Sequence, residues 1–480
     1  DENNISDYKE TLFKGASGFY DKKVFLLFSM DMSGIQDFIY TIASKNALRM
    51  LRSRSFYLEI FMENLIDELL DYIGMSRANL IYSGGGHAYI ITANTENIKQ
   101  KIAEFELKIN EWLLDEFKTA LFLGCGYAEC SANELHNEPE GTYRQIFKNV
   151  SKMMKRYSAA QIIKLNSKGK KDGTRECRVC RRASKLLEDD DICSVCNAMI
   201  DMSQNILYEG FYIVTENPKD KAALPLPFGR YLVAYNKEEL LEKMKQDDSS
   251  YIRAYTKNKS YTGFKVVKKL WVGDYTLGDS FEKLAKKSEG INRIAVFRAD
   301  VDNLGDAFVN GFASKKYGEK YMTISRTATF SRKMSMFFKY HINYILENGE
   351  FYIADKKEEE RGKRNATIVY SGGDDVFVVG SWDDVVGFAV DLQKSLKEFS
   401  QDTLTISGGI GIYPAKYPIN NMARLTGELE ECSKKYRNEV TKQEKNAITL
   451  FTPPQEKSEN NSLSLKQDMT FSWKDFENNV

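Results

Sequence analysis

The sequence predicts an α+β protein in which two similar domains flank a third domain that contains a cysteine cluster. The order strand, helix, hairpin, helix, strand occurs twice along the chain, which is the signature of an internal repeat. Four of the seven cysteines form two Cys-x-x-Cys pairs between the two copies. The 480 residues are enough for about two to four domains.

Each copy of the repeat begins with an apolar strand that ends in an acidic residue. Residues 24–35 read VFLLFSMDMSGI, and residues 294–304 read IAVFRADVDNL. Asp31 and Asp300 occupy the matching position at the end of each strand. Both strands are followed by residues that are compatible with a helix, so the same strand-to-helix unit is expected in both copies.

The second element of each copy is a β-hairpin. Residues 80–90 read LIYSGGGHAYI, and residues 368–378 read IVYSGGDDVFV. In both, β-rich arms flank a Gly-Gly pair, where glycine adopts positive φ angles without steric cost. Chance is unlikely to supply the same Tyr-Ser-Gly-Gly tetrapeptide at the same place in both copies.

The remaining elements complete the repeat. Helical patterns follow the hairpins at residues 97–117 and 383–399. Each copy then has a further strand with a Gly-x-Gly sequence, at residues 124–126 and 409–411. This order is typical of a ferredoxin-like domain, an antiparallel sheet covered by helices.

The two copies define the predicted domains. The predicted boundaries are 1–150 for the first ferredoxin-like domain, 151–290 for an intermediate domain, 291–452 for the second ferredoxin-like domain and 453–480 for a C-terminal tail that starts a truncated helical region. Within the intermediate domain, residues 206–214 and 231–235 are β-like, and residues 237–245 are helical in pattern.

Composition and charge exclude several classes of protein. Hydrophobic residues make up 42% and charged residues 28%, as in ordinary globular proteins. Lysine plus arginine (68) equals aspartate plus glutamate (68), so any nucleic-acid contact must use local patches. The longest apolar runs, such as residues 24–28, are far shorter than the roughly 20 residues that cross a bilayer, and the first residues do not form a signal peptide. We therefore expect a soluble, cytoplasmic protein without a membrane partner.

The cysteine pairs predict a zinc site. Twelve residues separate Cys177-x-x-Cys180 from Cys193-x-x-Cys196. Two such knuckles fold back to place four thiolates in the tetrahedral arrangement that zinc prefers. Four cysteines leave zinc no open position, so the site is expected to be structural. The alternative, four unrelated buried thiols, seldom gives paired Cys-x-x-Cys at this spacing.

Three acidic residues of the second copy predict a catalytic metal site. Asp300 ends one strand, and Asp374 and Asp375 follow the Gly-Gly pair of the hairpin. If the strands are neighbours, the carboxylates repel one another unless a cation is present, and oxygen ligands suit Mg²⁺ or Mn²⁺. Together with Asp302, they resemble the two-metal arrangement of palm-type polymerases and nucleotide cyclases, in which ions about 3.5–4 Å apart activate a sugar hydroxyl and stabilise the leaving group. The alternative is a tight hairpin with solvated acids.

The first copy lacks most of these carboxylates but keeps the glycine turn. We therefore expect one catalytic domain and one nucleotide-binding domain. The matched positions are Asp31 for Asp300, Ser33 for Asp302, Gly86 for Asp374 and His87 for Asp375.

These motifs resemble a known family. Residues 370–375 (YSGGDD) and 299–304 (ADVDNL) are similar to the large, polymerase-like subunit of type III CRISPR effector complexes. Residues 33–40 (SGIQDFIY) and 51–59 (LRSRSFYLE) resemble its subtype III-A, or Csm, branch. The resemblance covers nearly the whole chain. It implies two palm (nucleotide cyclase-like) domains and the conversion of ATP into cyclic oligoadenylate second messengers when target RNA is bound.

The resemblance also implies roles for individual residues. The implied ligands of two Mg²⁺ or Mn²⁺ ions are Asp300, the Val301 carbonyl, Asp374 and Asp375. The implied ATP-binding residues are Ser371, Gly372 and Gly373 for one ATP, Ser83, Gly84 and Gly85 for the second, and Lys434, with Lys435 as the fallback, for a phosphate. The alternative for both lysines is a solvated helix face.

The family further implies partners, and two of its domains are not found in this sequence. The implied partners are other Csm subunits, above all the one that caps the guide RNA 5′ end and the small helical subunit, together with guide RNA and target RNA. The family's N-terminal nuclease domain and C-terminal helical domain are not recognised here. None of the three histidines is followed by aspartate, so DNA nuclease activity is not expected for this chain.

Other functions remain as alternatives. A cyclase that makes cyclic diguanylate usually carries asparagine eight residues after the strand-end aspartate, to read guanine; here that residue is Phe308, and Tyr317 lies farther on. A non-catalytic RNA-binding scaffold has no need for three clustered carboxylates. A template-directed polymerase needs a long basic channel, which the sequence does not indicate.

Overall fold

The computed structural model describes most of the chain as two compact units. The described residues are 6–7, 9–42, 47–165, 175–184, 186–187, 191–218, 222–245, 251–262, 264–278, 280–353, 361–437, 444–451 and 469–479. Unit 1 comprises Asp1–Ile35, Leu58–Lys171 and Gly305–Lys333, and unit 2 comprises Gln36–Tyr57, Asp172–Leu304 and Met334–Val480.

Unit 1 contains a four-stranded antiparallel sheet with the order β2-β3-β1-β4. Its strands are β1 (Phe25–Ser33), β2 (Leu80–Gly84), β3 (His87–Ala93) and β4 (Phe122–Cys130). The two strands of the hairpin lie on one side of β1, and the last strand lies on the other. The structure therefore confirms the predicted ferredoxin-like order for the first copy.

The helices of the first 165 residues include both helical segments that the repeat requires. They are α1 (Ala16–Tyr20), α2 (Ile35–Tyr40), α3 (Ala47–Ile73), α4 (Glu96–Phe117), α5 (Ala132–Leu135) and α6 (Thr142–Leu165), with a π-helical turn at Glu10–Lys14 and a 3₁₀ turn at Arg77–Asn79. Helix α4 matches the predicted segment 97–117, and the Thr95 side chain caps its start by accepting from the Ile98 amide.

The core of unit 1 is completed by a segment from much later in the chain. Tyr143 and Val150 of α6 are buried against Leu27 of β1, and Met322 lies in the same cluster. The Tyr143 hydroxyl is 2.7 Å from the Thr327 hydroxyl. Residues 305–333 thus pack in unit 1, although they fall within the predicted second domain 291–452. Their sequence position after the strand gave no indication of this packing.

The region between the copies forms a small ribbon and a second sheet, both in unit 2. The ribbon strands are β5 (Arg175–Glu176) and β6 (Ala183–Ser184), and the sheet has the order β11-β10-β7-β9-β8. The sheet strands are β7 (Phe211–Thr215), β8 (Leu224–Leu226), β9 (Arg230–Tyr235), β10 (Tyr251–Lys257) and β11 (Val266–Leu270), and the helices are α7 (Ser194–Tyr208), α8 (Lys237–Lys245) and α9 (Phe281–Ala285). The predicted strand 206–214 is wrong for its first residues, which end α7.

Unit 2 also contains a six-stranded sheet with the order β13-β14-β12-β15-β16-β17. Its strands are β12 (Ile294–Val301), β13 (Ala366–Gly372), β14 (Asp375–Ser381), β15 (Ile406–Tyr413), β16 (Ala447–Leu450) and β17 (Thr470–Ser472). The first four strands repeat the order and antiparallel pairing of the unit 1 sheet. β16 adds to them in parallel, and β17 pairs with β16 in antiparallel fashion. The second ferredoxin-like copy is thus also confirmed.

The remaining helices surround this sheet or belong to unit 1. They are α10 (Leu304–Asn310), α11 (Ile324–Met336), α12 (Ile342–Glu347), α13 (Trp382–Ser400), α14 (Ile419–Lys434) and α15 (Trp473–Asn479), with a π-helical turn at Phe337–His341. Helix α13 matches the predicted segment 383–399. No described helix has both the length and the apolar character that crossing a bilayer requires.

Helices α13 and α14 contact opposite faces of the six-stranded sheet. Phe297 of β12 meets Phe388 of α13 with ring centroids 6.0 Å apart. The next residue, Arg298, forms an ion pair with Glu430 of α14. Because side chains alternate along a strand, Asp300 shares the α14 face with Arg298. The face under α14 is therefore the one that carries the acidic strand end.

Both edges of the six-stranded sheet are covered or short. On the β13 side, the Ile368 amide donates to the Tyr275 carbonyl, and the Leu277 amide donates to the Ala366 carbonyl. On the other side, β17 has three residues and leads directly into α15, whose Phe476 is 1% exposed.

The described part of the predicted tail is therefore built into the sheet. Residues 469–479 supply β17 and α15, and the Trp473 indole donates to the Ile406 carbonyl at 2.7 Å. Residues 453–468 and 480 lie outside the described residues. A three-residue strand has too little periodicity to be recognised from its sequence.

Candidate functional site

The second hairpin (β13–β14) brings three carboxylates together. Gly373 and Asp374 form its turn, with Gly373 at φ +63°, and Asp375 begins β14. Asp300 lies opposite Asp375 in the β12–β14 pairing. Asp300, Asp374 and Asp375 each offer a carboxylate oxygen, and these oxygens lie within 4.8 Å of one another. We call these three residues the carboxylate cluster.

Crowding raises the pKa of two members of the cluster. Burial, followed by the negative charges of Asp300 and Asp375, raises the pKa of Asp374 to about 8. Burial, followed by the charges of Asp300 and Glu430, raises the pKa of Asp375 to about 7. The folded chain therefore opposes full ionisation of these groups, which is the electrostatic condition that a divalent cation relieves.

Lys434 contacts the carboxylate cluster. Its Nζ lies 2.8 Å from Asp300 Oδ2 and 2.7 Å from Glu430 Oε1. Burial opposes its charge, but the attraction of Glu430 and the hydrogen bond to Asp300 outweigh burial and raise its pKa. Lys435, the fallback from sequence, lines a cavity of about 1200 Å³ along α14 instead. A role for either lysine in phosphate binding stays a prediction.

Three residues of this site were missed from sequence. Glu430 and Arg298 form an ion pair with Nε and Oε2 2.5 Å apart, and Arg298 Nη2 donates to Gln36 Oε1 at 2.7 Å. A weak signal existed for two of them. Glu430 precedes Lys434 by four residues on a helix, and Arg298 shares a strand face with Asp300. Gln36 lies in the motif at residues 33–40, but no local pattern indicated its contact with Arg298, more than 250 residues later in the chain.

Asp302 does not join the carboxylate cluster, although the sequence analysis paired it with Asp300. Its side chain is buried and accepts from the Thr405 hydroxyl at 2.7 Å and from the Asn446 amide at 3.0 Å. Asp302 leaves β12 just beyond its last residue, where the alternation of faces no longer applies. It holds the loops before β15 and β16 together.

The donor set of the carboxylate cluster fits Mg²⁺ or Mn²⁺. Four carboxylates, the cluster and Glu430, face two cationic side chains, Arg298 and Lys434, in the contacts above. The remaining negative charge and the oxygen-only ligands favour hard divalent cations over zinc or copper.

The other residues predicted to bind ATP or metal around the second hairpin are not part of the carboxylate cluster. The Ser371 hydroxyl donates to the Phe338 carbonyl, away from the cluster face. At Gly372, a Cβ atom would lie 3.0 Å from the Tyr370 hydroxyl, so a side chain there requires a small shift of the Tyr370 ring. Val301 ends β12 with a buried side chain. The predicted roles of Ser371, Gly372, Gly373 and the Val301 carbonyl in binding ATP or metal stay predictions.

The first hairpin (β2–β3) has the same strand register but different chemistry. Asp31 lies opposite His87 in the β1–β3 pairing, as Asp300 lies opposite Asp375 in the second copy. His87 Nε2 is 2.8 Å from Ser29 Oγ, and its Nδ1 is 3.4 Å from Asp31 Oδ1. His87, which lies between a hydroxyl and a carboxylate, therefore takes the place that Asp375 has in the second copy.

The residues predicted to line a second ATP lie around this hairpin. The Ser83 hydroxyl donates to Glu63 Oε1 at 2.5 Å. Gly84 ends β2, and Gly85 begins the turn with φ +61°. Their contribution to ATP binding stays a prediction.

We expect Gly86→Asp, which restores an acidic residue in this turn, to destabilise unit 1. Gly86 has φ +83°, and a Cβ atom there would lie 2.2 Å from Ile35 Cδ1. The left-handed backbone alone costs about 1–2 kcal/mol for a residue with a side chain. Gly74→Asp is the matched control, because Gly74 has φ +75° with nothing within 4 Å of the added Cβ. Thermal unfolding should show the larger loss for Gly86→Asp; equal losses would show that Ile35 yields without cost.

Phe308, at the position that reads guanine in diguanylate cyclases, lies among aromatic rings of unit 1. Its ring centroid is 5.5 Å from that of Tyr82 and 5.0 Å from that of Phe330. A phenyl ring offers no hydrogen bond to the edge of a base.

The four paired cysteines form a second cluster, in unit 2. Cys177, Cys180, Cys193 and Cys196 are buried, and their sulfur atoms lie within 4.8 Å of one another. The β5–β6 ribbon carries the first pair, and Cys193 directly precedes α7, which carries Cys196. We call these four residues the cysteine cluster. Among the described residues, it and the carboxylate cluster are the groups of three or more side chains arranged to hold a metal ion.

The geometry of the cysteine cluster fits zinc. The sulfur atoms of Cys180 and Cys193 are 4.0 Å apart, close to the separation of about 3.8 Å expected for thiolates 2.3 Å from a tetrahedral zinc ion. Hydrogen bonds between the thiols lower the pKa of Cys177 to about 5 and raise that of Cys193 to about 11. Some of these thiols thus lose their protons more readily than others, and a bound metal ion would displace the remaining thiol protons.

Two parts of the chain match known protein families. Residues 24–168 match the family described as Csm1 subunit domain B. Residues 293–449 match the family described as Cas10/Cmr2, second palm domain. These matches coincide with the two copies of the repeat.

A curated relative is similar over most of this chain. The CRISPR system single-strand-specific deoxyribonuclease Cas10/Csm1 (subtype III-A) of Mycobacterium tuberculosis is 44% identical over 466 residues. The alignment covers 93% of this chain and 56% of the relative, so the chain spans little more than half of that protein.

Solved structures share the fold. The Csm1-Csm4 subcomplex of the type III-A CRISPR-Csm interference complex matches with a TM-score of 0.72 and 25% identity, over 96% of this chain and 58% of that chain. A Csm1-Csm4 cassette in complex with cA4 matches with a TM-score of 0.72 and 24% identity, over 98% and 59%. This chain therefore contains a Csm1 domain B and a Cas10/Cmr2 second palm domain, and over most of its length it is similar to Cas10/Csm1 of type III-A CRISPR systems.

Proposed function

We propose that this chain joins ATP molecules into cyclic oligoadenylates as the large subunit of a type III-A CRISPR effector complex. The observation that carries the proposal is the carboxylate cluster, which sits on the sheet that matches the Cas10/Cmr2 second palm domain. The fold shared with a cassette solved in complex with cA4 supports the choice of product.

Four groups of the second palm would hold the metal ions. They are the side chains of Asp300, Asp374 and Asp375 and the carbonyl of Val301, around two Mg²⁺ or Mn²⁺ ions. When bound, such ions lower the pKa of a hydroxyl and compensate the charge of a leaving group. In the reaction, a ribose hydroxyl oxygen of one nucleotide bonds to the α-phosphorus of the next ATP, and pyrophosphate leaves. Each bond formed releases one pyrophosphate, and an intramolecular bond of the same kind closes the ring.

The chain's own residues orient the phosphates and balance their charge. Gly372 and Gly373 let the phosphate chain of one ATP approach the backbone of the second hairpin, next to Ser371. Lys434 would contact a phosphate at the cluster, a role that its contact with Asp300 supports, with Lys435 as the alternative. A second ATP would lie along the first hairpin, whose residues are Ser83, Gly84 and Gly85.

The proposal includes a structural zinc ion and several partners. The cysteine cluster would hold one zinc through four thiolates, which leaves no position for a substrate. The partners would be other Csm subunits, including the one that caps the guide RNA 5′ end and the small helical subunit, with guide and target RNA. A similar protein solved together with Csm4 supports a Csm subunit as a partner. Because the net charge is zero, RNA contacts would depend on local patches and on the other subunits.

We expect ATP to be the preferred substrate over GTP. The chain with Mg²⁺ or Mn²⁺ should convert ATP into oligoadenylates, and GTP turnover should be at least about tenfold slower, since Phe308 cannot read the guanine edge. Mass spectrometry of the products, with and without the Csm partners and target RNA, measures both. Phe308→Asn is the test of the base argument, because it introduces the missing amide.

Cyclic diguanylate as the main product would replace the proposed function with the diguanylate alternative. Absence of any nucleotide product, even with partners and target RNA, would leave the scaffold function. DNA cleavage is not part of the proposed function.

A further inference from the structure

Helix α2 lies on the same sheet face as the carboxylate cluster. The Tyr40 ring is 4.6 Å from the ring of Phe377, measured between centroids, and Phe377 follows Asp375 by two residues in β14. The guanidinium of Arg298 lies 6.0 Å from the centroid of the Tyr40 ring. Tyr40 is 8% exposed, so α2 is packed against the sheet at this end.

The first turn of α2 reaches the cluster through one side chain. Gln36 Nε2 donates to Asp375 Oδ2 at 3.4 Å, and Gln36 Oε1 accepts from Arg298 Nη2 at 2.7 Å. A single amide therefore bridges a carboxylate of the cluster and the nearby arginine. The Gln36 amide thus contacts one of the two carboxylate oxygens of Asp375.

A chain of charged contacts continues from Gln36 to the opposite side of the cluster. Arg298 pairs with Glu430, Glu430 pairs with Lys434, and Lys434 contacts Asp300. Asp375 and Asp300 are thus each held by a partner, and the two partners are connected through Arg298 and Glu430. Displacing Gln36 would remove the contact that connects Asp375 to this chain of charged residues.

The last turn of α2 is held by Arg54. Arg54 Nη1 donates to the Phe38 carbonyl at 2.7 Å and to the Thr41 carbonyl at 2.8 Å. Carbonyl groups at the end of a helix commonly accept hydrogen bonds from side chains outside it. The guanidinium also stacks 5.2 Å from the centroid of the Phe38 ring. Arg54 is 2% exposed, so its position is fixed by its surroundings.

The same guanidinium touches the cysteine cluster. Arg54 Nη2 lies 3.9 Å from Cys196 Sγ, and Arg182 of the cysteine ribbon stacks 5.8 Å from the Phe38 ring. A zinc ion held by four thiolates leaves a net negative charge, which compensates a buried guanidinium. The cluster, Arg54, α2 and Gln36 therefore form a continuous series of contacts that ends at Asp375.

From these contacts we infer that Gln36 and Arg54 are positioning residues, which tie the geometry of Asp375 to the integrity of the cysteine cluster through helix α2. The inference rests on the proposed function of the carboxylate cluster as a metal site. It also gives a purpose to two sequence motifs, residues 33–40 and 51–59, that the metal and nucleotide roles leave unexplained. A group that orients a metal ligand typically changes metal affinity or activity by about 10–100-fold when it is removed.

The first test replaces Gln36, whose side chain is exposed and therefore dispensable for folding. Gln36→Ala should weaken Mn²⁺ binding to the full chain about tenfold, measured by electron paramagnetic resonance of free Mn²⁺ without nucleotide. It should also lower kcat for ATP with little change in KM, because the amide contacts a carboxylate of the cluster. Asp37→Ala is the matched control, since Asp37 is the next exposed residue of α2 and should leave both quantities unchanged.

The second test asks whether Arg54 acts through the same helix. Arg54→Met roughly keeps the length of the side chain but removes its donors, and it should also weaken Mn²⁺ binding. Arg54→Lys keeps the charge and a single donor nitrogen, so its Mn²⁺ affinity should lie between those of Arg54→Met and the wild type. The double variant Gln36→Ala, Arg54→Met should lose little more than Arg54→Met alone, because both changes act on Asp375 through α2. Zinc content is measured in parallel to show that the variants are folded.

Several outcomes would overturn the inference. Unchanged Mn²⁺ affinity in Gln36→Ala would remove the role of Gln36, and strictly additive losses in the double variant would separate Arg54 from it. If the wild-type chain bound Mn²⁺ no better than the Asp374→Asn, Asp375→Asn variant, the metal site itself would be absent. Mn²⁺ binding needs no turnover, so a chain that binds Mn²⁺ in a Gln36-dependent way but makes no oligoadenylate would contradict the proposed function alone.

Discussion

Replacing Asp374 and Asp375 together by asparagine should abolish nucleotide polymerisation, with a loss of at least about a thousandfold. Asparagine keeps the shape of aspartate but removes two of the three charges that would hold the metal ions. Divalent ions supply several kcal/mol of transition-state stabilisation, and about 4 kcal/mol corresponds to a factor of about a thousand. Product formation from ATP under saturating Mg²⁺ or Mn²⁺ measures the loss.

The same double variant should be more stable than the wild type when no divalent metal is present. Burial and mutual repulsion raise the pKa of both carboxyl groups, so their ionisation opposes folding. Mn²⁺ should raise the melting temperature of the wild type and leave that of the variant unchanged, because only a folded site that binds the ion is stabilised by it.

A matched control separates the site from general charge effects. Glu96→Gln with Asp402→Asn also removes two negative charges, from side chains that are 90% and 72% exposed. This control should keep both activity and the response to Mn²⁺. Normal activity in the Asp374→Asn, Asp375→Asn variant would eliminate the carboxylate cluster as the catalytic site.

The cysteine cluster should contain about one zinc ion per chain, and its loss should unfold the surrounding ribbon. Structural zinc sites contribute on the order of 10 kcal/mol to the folding of the segments that they hold. Cys177→Ser with Cys196→Ser removes one ligand from each pair, so zinc measured by elemental analysis should fall to background. Limited proteolysis should then cut within residues 175–208.

Cys432→Ser is the control for this experiment, because Cys432 is a partly exposed thiol outside the cluster. Its zinc content and proteolysis pattern should match those of the wild type. A wild-type chain without zinc that is nevertheless resistant to protease would show that the cluster is stabilised by the thiols alone.

The fold could be predicted from sequence because the repeat supplied the same evidence twice. A glycine-rich turn, an apolar strand that ends in aspartate and two helical patterns each carry local signals, and their common order fixed the strand arrangement. The carboxylate cluster followed from that order, since β12 and β14 are neighbours in a ferredoxin-like sheet. Asp300 and Asp375 lie in register there.

The parts that sequence could not predict depend on contacts between distant segments. Gln36 and Asp375 are separated by 339 positions, and Arg54 and Cys196 by 142, and no local pattern encodes either contact. Asp302 was misjudged because the end of a strand does not maintain the alternation of faces. Residues 305–333 were assigned to the second copy because they lie between its first strand and its hairpin in the sequence, which does not show that they pack in unit 1.

The protected edges of the six-stranded sheet restrict how this chain can associate with others. Among the described residues, backbone groups of β13 are paired with residues 275–277, and on the far side β17 has three residues before α15 begins. Strand addition, in which a partner extends a sheet through main-chain hydrogen bonds, requires a longer open edge. A partner that binds this part of the protein would therefore contact side chains. Aggregation through pairing of sheet edges is disfavoured for the same reason.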